Sequence, residues 1–151
     1  EYAMVDRDGD GLVEYSGKFL SDPGKKNGLY WQTKEGEEPS PLGELIAKAK
    51  AGGYKKGSSE KPQPYNGYYY LMLNKQGKNA SGGAFDYIVK GKQIAGFAVV
   101  AYPAKYGNSG VMTFMVNQDG VVYQKDLGRN TEKAAKAMKK FDPDKTWKKV
   151  E

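Results

Sequence analysis

Apolar residues recur along this chain in two different spacings. In the first half the spacing is helical. Leu12, Tyr15, Phe19 and Leu20 predict a short helix within residues 12–21, weakened by Gly17. Ser40-Pro41 predicts a second helix start. Serine accepts hydrogen bonds from free N–H groups, and proline needs no partner at the first helical position. Leu42, Leu45, Ile46 and Ala49 would form its buried stripe, and Gly52-Gly53 would stop it. The second half reads as strands over residues 65–73, 85–89, 94–102, 111–116 and 121–123. Lys90-Gly91-Lys92 makes one turn, and Asn117-Gln118-Asp119-Gly120 carries a hairpin signal. Met112, Phe114 and Val116 share one face by alternation. Gly96, Ala98 and Ala101 make 94–102 a small-residue, central strand that Pro103 ends. Thr131 then caps a last helix containing Ala134, Ala135 and Met138, closed by Asp142-Pro143. Helices first and consecutive strands afterwards predict an α+β fold: an antiparallel sheet of about four to five strands with helices packed on it. A length of 151 residues suits one domain over the whole chain, 1–151.

Composition narrows the chemistry. The chain contains no histidine and no cysteine. That removes Ser–His and Cys–His catalysis, zinc hydrolase motifs, disulfides and thiolate or imidazole metal ligands. A conventional enzyme is therefore not expected. Carboxylate, tyrosine, lysine and oxygen-ligated cation chemistry are left. The net charge of +6 comes almost wholly from lysine, since Arg7 and Arg129 are the only arginines. Readers of nucleic acid favour arginine for bidentate contacts, so a solvated lysine face is expected and a nucleic-acid partner is not. Lys136, Lys139, Lys140, Lys145, Lys148 and Lys149 form its densest part. No apolar run approaches the roughly 20 residues that span a bilayer. The chain opens mid-pattern at Glu1-Tyr2-Ala3-Met4-Val5, as expected of part of a longer protein whose targeting segment lies elsewhere.

One cluster points to a metal. Asp6-x-Asp8-x-Asp10-Gly11 places carboxylates at alternate positions, with a glycine that lets the chain wrap. Calcium takes six to eight oxygens, and the Leu12 carbonyl and Glu14 would extend the set. An EF-hand requires a bidentate glutamate at the twelfth place, where this chain has Gly17. Two readings stand: a calcium loop completed by distant oxygens, with a structural role, or an acidic turn in which Asp8 or Asp10 caps the following helix. Tyr65, Tyr68, Tyr69, Tyr70, Tyr87, Tyr102, Tyr106 and Tyr123 would serve as a sugar- or peptide-binding platform, or as ordinary packing of an aromatic-rich sheet. Gly82-Gly83, Gly107, Gly110 and Gly128 fit turns better than a phosphate loop, because none opens a strand–loop–helix unit with the right lysine. Asp86, Asp119 and Asp126 are the carboxylates an acid–base pair would draw on.

A series of motifs adds a resemblance. The run GGAFDYIVKGKQIAGFAVVAYPAKYGNSGVMTFMVNQDGVVYQKDLG at 82–128 resembles the signature of an exported bacterial family known only as a domain of unknown function. DRDGDGLVEY, DPGKKNGLYW, SPLGELIAKA and PYNGYYYLML match further pieces in the same order, so the resemblance spans nearly the whole chain. It implies the C-terminal half of a longer exported protein and carries no established activity. Where relatives have histidine, this chain has Asn66 and Gln118. A looser, fold-level similarity is to the globular part of type II secretion pseudopilins. Together these readings lead us to expect a periplasmic or secreted module, non-catalytic, acting on a protein partner or cell-envelope component, with calcium as its candidate stabilising ion. The alternative is a carbohydrate- or peptidoglycan-binding module that uses exposed tyrosines.

Overall fold

The computed structural model describes residues 1–43 and 63–151. Its strands, in chain order, are β1 (Tyr68–Leu73), β2 (Lys75–Gln76), β3 (Phe85–Asp86), β4 (Ala98–Pro103), β5 (Met112–Asn117) and β6 (Tyr123–Asp126). Helix α1 (Thr131–Lys136) and strand β7 (Lys148–Lys149) follow. The main sheet runs β1-β4-β5-β6-β7, antiparallel throughout. β2 and β3 leave it as a separate antiparallel ribbon.

Register decides which side chains are buried. Leu71 lies opposite Val100, and Val100 opposite Met115, so these three share a face. Ala98, Val100, Tyr102 and Met115 are all buried there. Ala135 of α1, Tyr87 and Phe141 close over them. The small side chains of β4 leave room for that close approach. Burying a side chain the size of Val100 stabilises by roughly 1.5–3 kcal/mol. Met112, Phe114 and Val116 do share a face, as alternation requires, but it is the opposite one. Thr113, Met115 and Asn117 point into the core.

Residues 1–43 form an irregular layer built on backbone hydrogen bonds between loops. The Ser21 N–H donates to the Tyr30 carbonyl (2.9 Å), and the Tyr30 N–H donates to the Phe19 carbonyl (2.8 Å). Gly28 lets these segments touch, because a Cβ there would lie 2.5 Å from the Leu20 backbone. Phe19 and Trp31 are the layer's buried rings. The Arg7 guanidinium stacks over Trp31 at 5.0 Å and over Tyr2 at 4.8 Å.

Several expected elements change. No helix forms over residues 12–21. Instead the Tyr15 N–H donates to the Gln93 carbonyl (2.8 Å), and the Ser16 hydroxyl bonds the Lys18 backbone. Helical hydrogen bonds lose to these alternatives in a segment that already contains Gly17. The helix expected between Ser40-Pro41 and Gly52-Gly53 falls mainly on residues 44–51, outside the described residues. The 65–73 strand starts at Tyr68, because Asn66 and Gly67, both at positive φ, fold Tyr65 back onto Tyr68. The 85–89 strand shortens to Phe85–Asp86. Thr131 is no capping acceptor, since its hydroxyl donates to the Gly128 carbonyl (2.6 Å). Among the described residues the helical layer therefore reduces to the single α-helix α1, and the fold is dominated by its sheets.

Candidate functional site

The acidic loop closes on itself through its own backbone. The Gly9 N–H donates to Asp6 Oδ1 and the Gly11 N–H to Asp6 Oδ2, both at 2.8 Å. The Leu12 N–H donates to Asp10 Oδ1 (2.9 Å) and the Asp10 N–H to Asp8 Oδ1 (3.4 Å). Gly9 and Gly11 supply the positive φ values that this wrap demands. The Asp6, Asp8 and Asp10 carboxylates come within 4.8 Å of one another, all three exposed. The hydrogen bond from Gly11 holds the Asp6 carboxyl below the usual carboxylate range, because it favours the ionised form. The helix that Asp8 or Asp10 was expected to cap is absent, so neither residue caps anything.

A cation from a distant turn meets this loop. Lys92 Nζ lies 2.5 Å from Asp8 Oδ2, 2.8 Å from Asp10 Oδ2 and 3.0 Å from Glu14 Oε1. The other Glu14 oxygen accepts the Gln93 N–H at 3.2 Å. Hydrogen bonds to Asp10, Asp8 and Glu14 raise the pKa of the Lys92 ammonium. The tight turn at Lys90 and Gly91, both at positive φ, delivers Lys92 to this place. Of the five residues expected to ligate calcium, Asp8, Asp10 and Glu14 contact Lys92. Asp6 holds the loop's backbone, and the exposed Leu12 enters through its N–H. Sequence reasoning missed Lys92 and read it only as a turn residue.

Beside this clamp opens a cleft of about 1270 Å³. Leu71, Met72 and Leu73 of β1 and the following Asn74 line it, together with the N-terminal layer and the end of α1. Seven cationic side chains face it against three carboxylates. Lys136 and Lys139 of the dense lysine group are among them. A second, largely apolar hollow of about 310 Å³ lies beneath Tyr2 and Tyr15, against Met72, Phe97 and Val99. Among the described residues no helix is long and apolar enough to cross a membrane.

A model of the family described as "Protein of unknown function (DUF2950)" matches residues 1–150. The chain belongs to that family. The match agrees with the resemblance drawn from the motif series. No curated protein and no solved structure matches the chain, so the looser pseudopilin likeness has no structural neighbour behind it.

A second set of polar residues forms a hydrogen-bond network around Gln76. Buried Gln76 donates to the Ser81 and Gly83 carbonyls (2.7 and 2.8 Å). Its side-chain oxygen accepts from the Tyr87 hydroxyl, the Asn117 amide and the Gln118 amide (3.1, 3.3 and 3.3 Å). Gln118 also accepts the Phe97 N–H (3.3 Å). Asn66 is thus a turn residue, and Gln118 is a member of this network. Tyr87 and Tyr102 are fully buried, and Tyr65, Tyr68, Tyr69, Tyr70, Tyr106 and Tyr123 are half-buried. Asp86, Asp119 and Asp126 sit on different elements. Asp126 accepts from the Tyr106 hydroxyl and the Gly128 N–H, both at 2.8 Å.

Proposed function

We propose that this chain is a non-catalytic cell-envelope or secreted module that acts by contact with a protein partner or envelope component, its N-terminal loop stabilised by calcium. The observation that carries this reading is the Lys92 clamp. The densest acidic cluster among the described residues is spent on fastening two loops beside an open cleft, a structural use of charge. Calcium fits the donor set, which is all hard oxygen. Asp8 and Asp10 would then exchange the Lys92 ammonium for the ion, with Asp6, Glu14 and the Leu12 carbonyl as further donors. Export to the periplasm or beyond rests on the motif resemblance. The pseudopilin-like role is one form of this contact reading, supported by the antiparallel sheet.

A second reading, binding of carbohydrate or peptidoglycan, draws support from Tyr68 and Tyr70. They share a sheet face with Phe114, whose ring centroid lies 6.0 Å from that of Tyr68. One experiment separates the two. A photocrosslinking residue is placed at Lys139 in the cleft, and a control at Lys78, in cells exporting the chain. The contact reading expects discrete protein adducts from Lys139 alone. Absence of adducts, with co-sedimentation of the chain with purified sacculi, would overturn it in favour of the second reading.

A further inference from the structure

Among the described residues β1 is an edge strand, and the phase of its hydrogen bonds tells which groups face outward. The Ala104 N–H donates to the Gly67 carbonyl at 2.8 Å. In an antiparallel pair, inward-bonded residues alternate. Counting on from Gly67 along the observed register, Tyr69, Leu71 and Leu73 bond inward to Tyr102, Val100 and Ala98. Tyr68, Tyr70 and Met72 therefore turn their N–H and C=O groups away from β4. Tyr68 confirms the phase, because both its outward groups bond Tyr65 at 3.0 Å. The outward groups of Tyr70 and Met72 have no hydrogen-bond partner among the described residues.

Unpaired strand edges template another strand, and folded proteins ordinarily blunt them with charge, proline or a covering element. Here the residues on the edge itself, Tyr70 and Met72, carry no charge. The edge opens instead onto the cationic cleft, to which Met72 contributes. Charge in that cleft is unbalanced. Lys92 is engaged by Asp8, Asp10 and Glu14, and Arg7 bonds both oxygens of Glu38 at 3.1 Å. Lys25 and Lys139 have no carboxylate within ion-pairing distance among the described residues. A strand added here would gain main-chain hydrogen bonds from the edge, and its acidic side chains would meet those lysines.

We propose that the cleft binds an extended, acidic polypeptide segment of another protein by strand addition to Tyr70 and Met72 of β1. The proposal rests on the contact reading above and names its partner class. The probe is a labelled synthetic peptide of alternating valine and glutamate, with a lysine-for-glutamate version as control. Binding of the acidic peptide alone is expected, weakening as salt is added, with slowed hydrogen exchange at the Tyr70 and Met72 amides. Met72→Pro removes an outward N–H that β4 does not use, so it is expected to lower affinity at least about tenfold while the sheet persists. If that variant fails to fold, the double substitution Lys25→Glu, Lys139→Glu leaves the sheet untouched and is expected to abolish binding. Equal binding of both peptides, binding without protection of Tyr70 and Met72, or self-association of the chain through this edge would each overturn the proposal. Failure here alongside protein adducts from Lys139 would leave the contact reading standing, so the two fail separately.

Discussion

Lys92 Nζ and Asp8 Oδ2 lie 2.5 Å apart although 84 residues separate them in the chain. With Asp10 and Glu14 the contact becomes a network around one ammonium, which fixes the N-terminal layer to the turn before β4. Single exposed ion pairs contribute little, and networks contribute more. Lys92→Met should lower the unfolding midpoint at low ionic strength. The difference should narrow in high salt, which screens exposed charges over a shorter distance. Calorimetric scans at both salt levels read this directly. Equal midpoints at low salt would remove the clamp's structural role.

Gln76 makes a stronger claim because it is buried. Its truncation strands the Tyr87 hydroxyl, the Asn117 amide and the Ser81 and Gly83 carbonyls. Only the Tyr87 hydroxyl and the Asn117 amide among these are buried, and each buried group left unpaired costs about 1–3 kcal/mol. Gln76→Ala is expected to destabilise by about 2–4 kcal/mol in urea unfolding.

Two buried tyrosines should behave oppositely. The Tyr87 hydroxyl is bonded to Gln76, while that of Tyr102 is buried with no partner among the described residues. Tyr87→Phe should cost about 1–2 kcal/mol, and Tyr102→Phe should be neutral or stabilising by up to about 1 kcal/mol. Burial, with a smaller push from Glu132, raises the Tyr102 pKa to about 12 from the ordinary 10.0. The folded state then holds this proton more tightly than the unfolded state. The stability it contributes is complete below pH 10 and is lost as pH rises towards about 12. Tyr102→Phe should show a shallower alkaline decline than the wild type, measured by unfolding at stepped pH.

Gly28 tests the packing of the N-terminal layer. A methyl group there meets the Leu20 and Ser21 backbone at 2.5 Å, and backbone yields less readily than a side chain. Gly28→Ala is expected to cost about 1–3 kcal/mol, read by chemical denaturation.

Much of the sheet was legible because alternation and turn residues are local signals. The small residues Ala98 and Ala101 marked a strand with neighbours on both sides, and Asn117 to Gly120 marked the turn between β5 and β6. Alternation also grouped Met112, Phe114 and Val116 correctly. It could not show that the core takes Thr113, Met115 and Asn117, because the buried side of β5 is set by its register with Val100 and by the residues closing over it. The helix expected over residues 12–21 failed for a non-local reason: Tyr15 finds its acceptor in Gln93, far along the chain. The acidic loop itself was visible, since Asp6, Asp8 and Asp10 are close in sequence. Lys92 was not, because nothing near it in the chain indicates that three carboxylates await it. Gln76 was silent for the same reason, its partners being spread from Ser81 to Gln118.

The central claim is that a cation fastens residues 6–14 to the turn at 90–93, and that calcium can take the place of the Lys92 ammonium. The most direct test is the unfolding midpoint of wild type and Lys92→Met, each in millimolar calcium and in chelator. An ion bound only by the folded state raises the midpoint. The account predicts a rise with calcium in both proteins, larger in Lys92→Met because the competing ammonium is gone. Identical midpoints in calcium and chelator for both proteins would contradict it and leave the loop a turn without an ion.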